Sequence, residues 1–319
     1  MAEPASSLAD PRAARDHVKA VLQALLVTFL WSTSWILIKV GLDDLDLAPL
    51  SFAGLRYALA AVILLPFGIG AIRAARSGRG PMTGRLMAMV GMYGVLFVAV
   101  AQGAQFAALA VLPATAVSLV LSSTPAVVAL MALAGRSERA TVAQLAGIGL
   151  LTLGAVLYFG PFQIAAGDAA GFVAAGVCVV AGALSSHLGR GLARDAIGHL
   201  GGPVGLTAAS MAIGASALLG VGLALEGWPS IDLGGWLVIG WLAVVNTAFA
   251  FTLWNHTLRT LTAVESSVVN NTMTIQIAAL AIVFLQERID PLQLAGLVLA
   301  AAGAAVVQLA PMVNARSSD

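Results

Sequence analysis

The chain repeats itself. Shifted by 149 positions without a gap, residues 112–155 fall on residues 261–304 with 15 of the 44 positions identical. Glu138-Arg139 lands on Glu287-Arg288, Gln144-Leu145-Ala146-Gly147 on Gln293-Leu294-Ala295-Gly296, Gly154 on Gly303, and Ser118 on Ser267. A repeat this long, made of apolar runs, points to a duplicated unit that buries its surface against its own copy. Here the solvent for those runs is lipid. The chain is 60% hydrophobic and 10% charged, against roughly 25% charged in a soluble domain. Its apolar runs of about 20 residues are each long enough to cross roughly 30 Å of hydrocarbon as a helix. They show no period-two alternation of polarity, which argues against a membrane barrel.

Ten spans fit, at about 19–41, 48–69, 85–109, 114–134, 142–160, 169–190, 202–225, 233–254, 262–285 and 291–311. The predicted fold is an all-α membrane protein. Residues 1–18 read as an N-terminal tail, 19–160 and 161–311 as two five-helix repeats, and 312–319 as a C-terminal tail. Turn chemistry marks the breaks. Pro49, Pro113 and Pro291 stand where a first helical residue would, and Asp168 and Asp232 at N-caps. Thr141 with Gln144 and Thr262 with Glu265 read as capping boxes. The first apolar run is a full span without a small-residue cleavage site at its end, and is read as a retained helix.

Lys and Arg concentrate in the N-terminal tail and in every second loop: Arg73, Arg76, Arg79 and Arg85, then Arg136 and Arg139, then Arg190 and Arg194, then Arg259. The alternate loops hold Asp43, Asp44, Asp46, Asp168, Glu226, Asp232, Glu287 and Asp290. By the positive-inside rule both termini are cytoplasmic, in a multi-pass protein of the plasma (inner) membrane. Five spans is an odd number, so the second repeat enters the membrane from the opposite side. Two inverted repeats can enclose a midplane cavity that opens alternately to either face.

The residues 284–303, Phe-Leu-Gln-Glu-Arg-Ile-Asp-Pro-Leu-Gln-Leu-Ala-Gly-Leu-Val-Leu-Ala-Ala-Ala-Gly, resemble the closing signature of EamA-type proteins in the drug/metabolite transporter superfamily. The earlier copy at 135–154 resembles it too, although Arg136-Ser137 stands where the family more often has Leu and Gly. Leu30-Trp31-Ser32-Thr33-Ser34-Trp35, Lys39 and Leu55-Arg56-Tyr57 look like the family's first two helices. The resemblance covers the whole chain and implies a basket of two five-helix repeats around a central cavity. Exporters of small metabolites are the usual members, so the resemblance implies transport of amino acids or related compounds.

Polar groups at hydrocarbon depth are costly unless they face a cavity or a partner, which makes them the candidate site. Ser267, Asn271 and Thr274 share one face of the ninth span, with Asn270 beside them. Their repeat mates Ser118, Ser122 and Pro125 form the matching face of the fourth. These faces either line the cavity or hydrogen-bond neighbouring helices. Pro125 removes the backbone bond to Leu121, leaving that carbonyl for a ligand or the helix for a hinge, unless it is an ordinary membrane proline.

Trp31, Ser34 and Trp35 lie at mid-depth, as a pocket wall or as filler between helices. Arg56 could hold a carboxylate in its planar fork or snorkel outward, and Lys39 reads better as snorkelling. Gln102, Gln105, Asn246 and Thr247 could add hydrogen bonds. His187 could move a proton but lies near the inner interface, and Glu265 could do so but fits a capping box.

The sequence carries no phosphate loop for ATP, so a solute or ion gradient must supply any driving force. Four histidines at unrelated spacing argue against an intramembrane metalloenzyme, and short loops argue against a sensor or scaffold. No cofactor, metal or nucleic-acid partner is expected. The expected partners are a small-molecule solute and the bilayer, and oligomeric state is left open.

Overall fold

The computed structural model describes residues 11–76, 83–134, 141–160, 166–195 and 198–316. These residues form ten helices long and apolar enough to span a membrane, and no strand. They are α1 (Pro11–Asp43), α2 (Pro49–Arg76), α3 (Gly84–Leu109), α4 (Ala114–Leu121 and Thr124–Ala134), α5 (Val142–Phe159), α6 (Ala169–Asp195), α7 (Pro203–Glu226), α8 (Leu233–Thr257), α9 (Ala263–Phe284) and α10 (Pro291–Arg316). The expected boundaries hold within a few residues for most spans. The largest departures are α1, which starts at Pro11 inside the expected tail, where proline's fixed φ suits a first helical turn, and α2, which runs on to Arg76 past its expected end at 69. Glu138 and Arg139, the repeat mates of Glu287 and Arg288, lie outside the described residues.

Caps fall where turn chemistry put them. Thr141 accepts from the Gln144 amide at 3.1 Å while the Gln144 side chain accepts from the Thr141 amide at 3.0 Å. Thr262 and Glu265 exchange the same pair of bonds at 3.3 and 2.9 Å, and Asp232 accepts from the Gly235 amide at 2.7 Å. Pro49 and Pro291 open their helices, whereas Pro113 sits one residue outside α4 as its N-cap.

The 149-residue period runs through the architecture. Helices α3, α4 and α5 begin at Gly84, Ala114 and Val142, and α8, α9 and α10 begin 149 residues later at Leu233, Ala263 and Pro291. A π-helical turn interrupts α3 at Val95–Val100, and its copy interrupts α8 at Val244–Phe249. Such turns carry one extra residue and re-aim the side chains beyond them. No hydrophobic period foretells them.

Inversion shows in the packing of α5 on α10. A Cβ built on Gly147 would stand 2.9 Å from the Gly303 carbonyl oxygen, and one on Gly303 2.7 Å from that of Gly147. Gly154 and Gly296 repeat this relation at 2.5 and 2.6 Å. Each glycine of one copy therefore meets the repeat mate of the other glycine, as an antiparallel pair about a two-fold axis requires. Small residues let the backbones touch, which replaces the missing hydrophobic drive between helices in lipid. Helices α2 and α7 form a second such pair, with Gly54 against the Leu219 backbone and Gly222 against that of Ser51.

Ten successive spans bring the start of α1 and the end of α10 to one face of the bundle, here the terminal face. At the opposite face two carboxylates close helix ends. Glu226, ending α7, accepts from the Leu50 and Ser51 amides of α2 at 2.9 and 2.7 Å. Glu287, just past α9, accepts from the Ala114 and Thr115 amides of α4 at 2.7 and 3.3 Å and from the Thr115 hydroxyl at 2.6 Å. A carboxylate satisfies orphan amides and complements the positive end of the helix dipole. Glu287→Ala should therefore lower stability by about 1–3 kcal/mol, seen as an earlier thermal unfolding midpoint in detergent. An unchanged midpoint would mean that these amides find other partners.

Candidate functional site

A cavity of about 710 Å³ lies between the two repeats. Its lining starts near the terminal face at Gln144 (α5), Arg190 (α6), Ser267 (α9) and Gln308 (α10). It runs inward past Ser122 and Pro125 of α4 and Asn271 and Thr274 of α9, to Trp35 (α1), Gln102 and Gln105 (α3) and Ser118 (α4). Beyond that, buried Leu47, Leu109, Leu112 and Val117 fill the interior. The cavity is thus open toward the terminal face, where Arg190 is exposed, and closed toward the other.

Of the residues singled out from sequence, Trp35, Gln102, Ser118, Ser122, Pro125, Ser267, Asn270, Asn271 and Thr274 all line this cavity. The α4 and α9 faces meet it from opposite repeats, as the repeat register anticipates. Gln308 joins them: its Oε1 accepts from Ser267 and, at 3.2 Å, from Asn271 Nδ2. Gln308, Gln144 and Arg190 stand in the wall as well, beyond the residues expected from sequence. Gln308 was recoverable, being a polar residue within an apolar span. From sequence, Gln144 reads only as half of a capping box and Arg190 only as a loop charge.

Helix α4 breaks at Ser122-Ser123 beside the cavity. Proline at 125 has no amide hydrogen for the Leu121 carbonyl. That carbonyl is served, because Thr124 Oγ1 donates to it at 2.7 Å. Ser122 and Ser123 likewise donate to the carbonyls of Leu119 and Val120 at 2.6 and 2.7 Å. Three hydroxyls replace the lost helical bonds, so the structure supports a jointed helix more than an unsatisfied carbonyl awaiting a ligand.

Five other candidates lie outside the wall. Trp31 packs between Phe251 and Trp254 of α8, with ring centroids 5.3 Å away in each case. Ser34 is buried and donates to the Trp31 carbonyl at 2.7 Å. Asn246 staples α8 to α1, with Nδ2 donating to the Leu30 carbonyl and, at 3.1 Å, to Thr33 Oγ1. For these three the packing reading holds. His187 is exposed and outside the lining, and Glu265 serves the α9 cap while pairing with His17 at 3.1 Å.

Arg56 is the sixth. It is 4% exposed and stands behind the wall rather than in it. Its Nε donates to Thr247 Oγ1 at 3.1 Å, and Thr247 in turn donates to the Leu242 carbonyl at 2.8 Å within the α8 π-helical turn. The guanidinium lies 5.0 Å from the Tyr57 ring centroid and 5.9 Å from that of Phe106. This is neither snorkelling nor direct display to the cavity. The adjacent Tyr57 hydroxyl donates to Gln102 Oε1 at 2.6 Å, which joins Arg56's neighbourhood to the wall.

The two halves differ in how they treat this space. The repeat mates of Gln102 and Gln105 are Phe251 and Trp254, the aromatics packed on Trp31. One half seals its side with tilted, closely packed rings, and the other leaves two amides facing an opening.

Ten apolar helices in two inverted repeats, enclosing a polar cavity at membrane depth, define an integral membrane transporter architecture. A protein-family model described as the EamA-like transporter family matches residues 18–160 and again 173–309. The chain belongs to this family of membrane transporters. A solved crystal structure, described only as that of a protein, is 19% identical, covers 92% of this chain and 98% of its own, and superposes with a TM-score of 0.62, which shows a shared fold. No curated protein matches the chain.

Proposed function

We propose that the protein is a secondary transporter that moves small organic metabolites by alternating access, with amino acids and related compounds as the class and export as the direction. The carrying observation is the cavity between the repeats, walled by amides and hydroxyls where lipid would otherwise penalise them. Its solute-contacting wall consists of Trp35, Gln102, Ser118, Ser122, Ser267, Asn270, Asn271 and Thr274. Pro125 and the break at Ser122-Ser123 form the joint that lets one half of α4 move against the other. The distribution of Lys and Arg supports a reading with both termini in the cytoplasm and the chain in the plasma (inner) membrane. The cavity then faces inward, toward an exporter's supply of solute.

Proteoliposomes holding the purified chain, loaded with a panel of labelled amino acids and amines and assayed with and without a pH gradient, test this reading. Protein-dependent flux of at least one panel member is expected, and a response to the gradient would assign proton coupling. Flux no greater than in empty liposomes for every member would overturn the proposed class.

A further inference from the structure

Among the described residues, Arg190 is the one charged residue that lines the cavity. Arg56 lies behind the wall, and the ion pairs His17–Glu265 and Lys39–Asp43 do not include it. The described acidic side chains sit at helix ends and in turns, away from the middle of the spans. A buried cation without a carboxylate partner, together with a cation at the mouth, gives the chamber a positive field that its low-dielectric walls do little to screen.

Hydrogen bonding adds detail. Gln102 has its carbonyl engaged by Tyr57, and Gln144 has its own engaged by the Thr141 amide, so each keeps its N–H donors for the cavity. The wall hydroxyls are arranged in the opposite sense. Ser118, Ser122, Ser185 and Ser186 donate to backbone carbonyls at 2.9, 2.6, 2.9 and 2.8 Å and so present lone pairs. Positive charge and the Gln144 donors stand at the mouth, the Gln102 donors stand at the inner end, and neutral hydroxyl acceptors line the wall between. Resting on the transport reading above, we infer that the solute is a small organic monoanion: its carboxylate is held by Arg190 and Gln144, and its neutral hydroxyl or amide donors reach the serines deeper in. Arg56 contributes as a positioning charge acting through the Tyr57–Gln102 contact and its field.

Four labelled probes on one skeleton test this. N-acetylthreonine is an anion, N-acetylthreoninamide neutral, threonine a zwitterion and threoninamide a cation. Uptake is measured in proteoliposomes of the full chain at equal pH, with the membrane potential clamped at zero. The anion should exceed the cation, after subtraction of empty liposomes. Arg190→Gln should lower the anion-to-neutral ratio about tenfold or more, the scale of one charge-assisted hydrogen bond, and Arg190→Lys should restore most of it. Arg56→Gln should lower the same ratio and Arg56→Lys preserve it. A ratio is insensitive to how much protein folds, so a purely structural role for Arg56 would leave it unmoved. If threoninamide moves as well as N-acetylthreonine, or if Arg190→Gln leaves the ratio unchanged, the anion assignment is overturned while transport stands. Protein-independent flux of all four would sink both.

Discussion

Gly303→Val is expected to leave almost no folded protein. Its new Cβ would stand 2.7 Å from the Gly147 carbonyl oxygen and 2.9 Å from the Leu151 Cα, both of them backbone atoms that no rotamer change can move aside. Overpacking of this kind costs about 3 kcal/mol or more, and the helices must part to relieve it. Parting removes the close backbone contact that holds helices together in lipid. Gly149→Val on α5 is the control, because nothing lies within 4 Å of the Cβ it would add. Size-exclusion profiles and thermal unfolding in mild detergent compare the two. A monodisperse, equally stable Gly303→Val protein would show that α5 and α10 are not in backbone contact.

Asn271→Leu is expected to reduce transport about a hundredfold while the protein inserts and purifies normally. Asn271 and Gln308 exchange hydrogen bonds at 3.2 and 3.4 Å, and Ser267 shares the same Gln308 oxygen. An isosteric apolar side chain leaves Gln308 half-served and removes both an acceptor and a donor from the wall. Each such loss is worth about 1–3 kcal/mol when the group is shielded from water. Ser122→Leu, across the cavity on α4, should act in the same direction. Thr152→Leu is the matched control, since that hydroxyl is exposed on α5 and bonds only the Ile148 carbonyl at 2.8 Å. The readout is flux of whichever panel solute the parent protein moves. Undiminished flux in both cavity variants would place the solute path elsewhere.

Much of the fold was legible because it rests on local or periodic signals. Apolar run length marked the spans, Thr-x-x-Gln and Thr-x-x-Glu marked two caps, and the 149-residue shift carried both the duplication and its inversion. The same shift brought Ser118 and Ser122 to the cavity opposite Ser267 and Asn271. What stayed hidden was direction around each helix. A helix that is apolar on all sides has no hydrophobic stripe to say which neighbour it meets. Trp31 and Trp35, one turn apart, therefore looked alike, although one packs on α8 and the other lines the cavity. Asn246 was equally ambiguous, since an amide at mid-span can serve a solute or a neighbouring carbonyl, and its partner Leu30 is distant in sequence. Arg56 carried too little information for its burial behind Tyr57 to be foreseen. The π-helical turns left no trace in residue type, yet beyond them the Gln102–Gln105 segment faces inward in one repeat and the Phe251–Trp254 segment packs on the Trp31 ring in the other.

The crossed glycines of α5 and α10 limit how this molecule can move. Sliding one helix along the other by a single residue would drive carbonyl oxygens into α-carbons at two levels at once, so translation along that line is barred. Rocking about it is not, because the four contacts lie along a single seam, like the knuckles of a door hinge. Under the alternating access proposed above, exchange of the open face for the closed one is expected to be a rotation about this line.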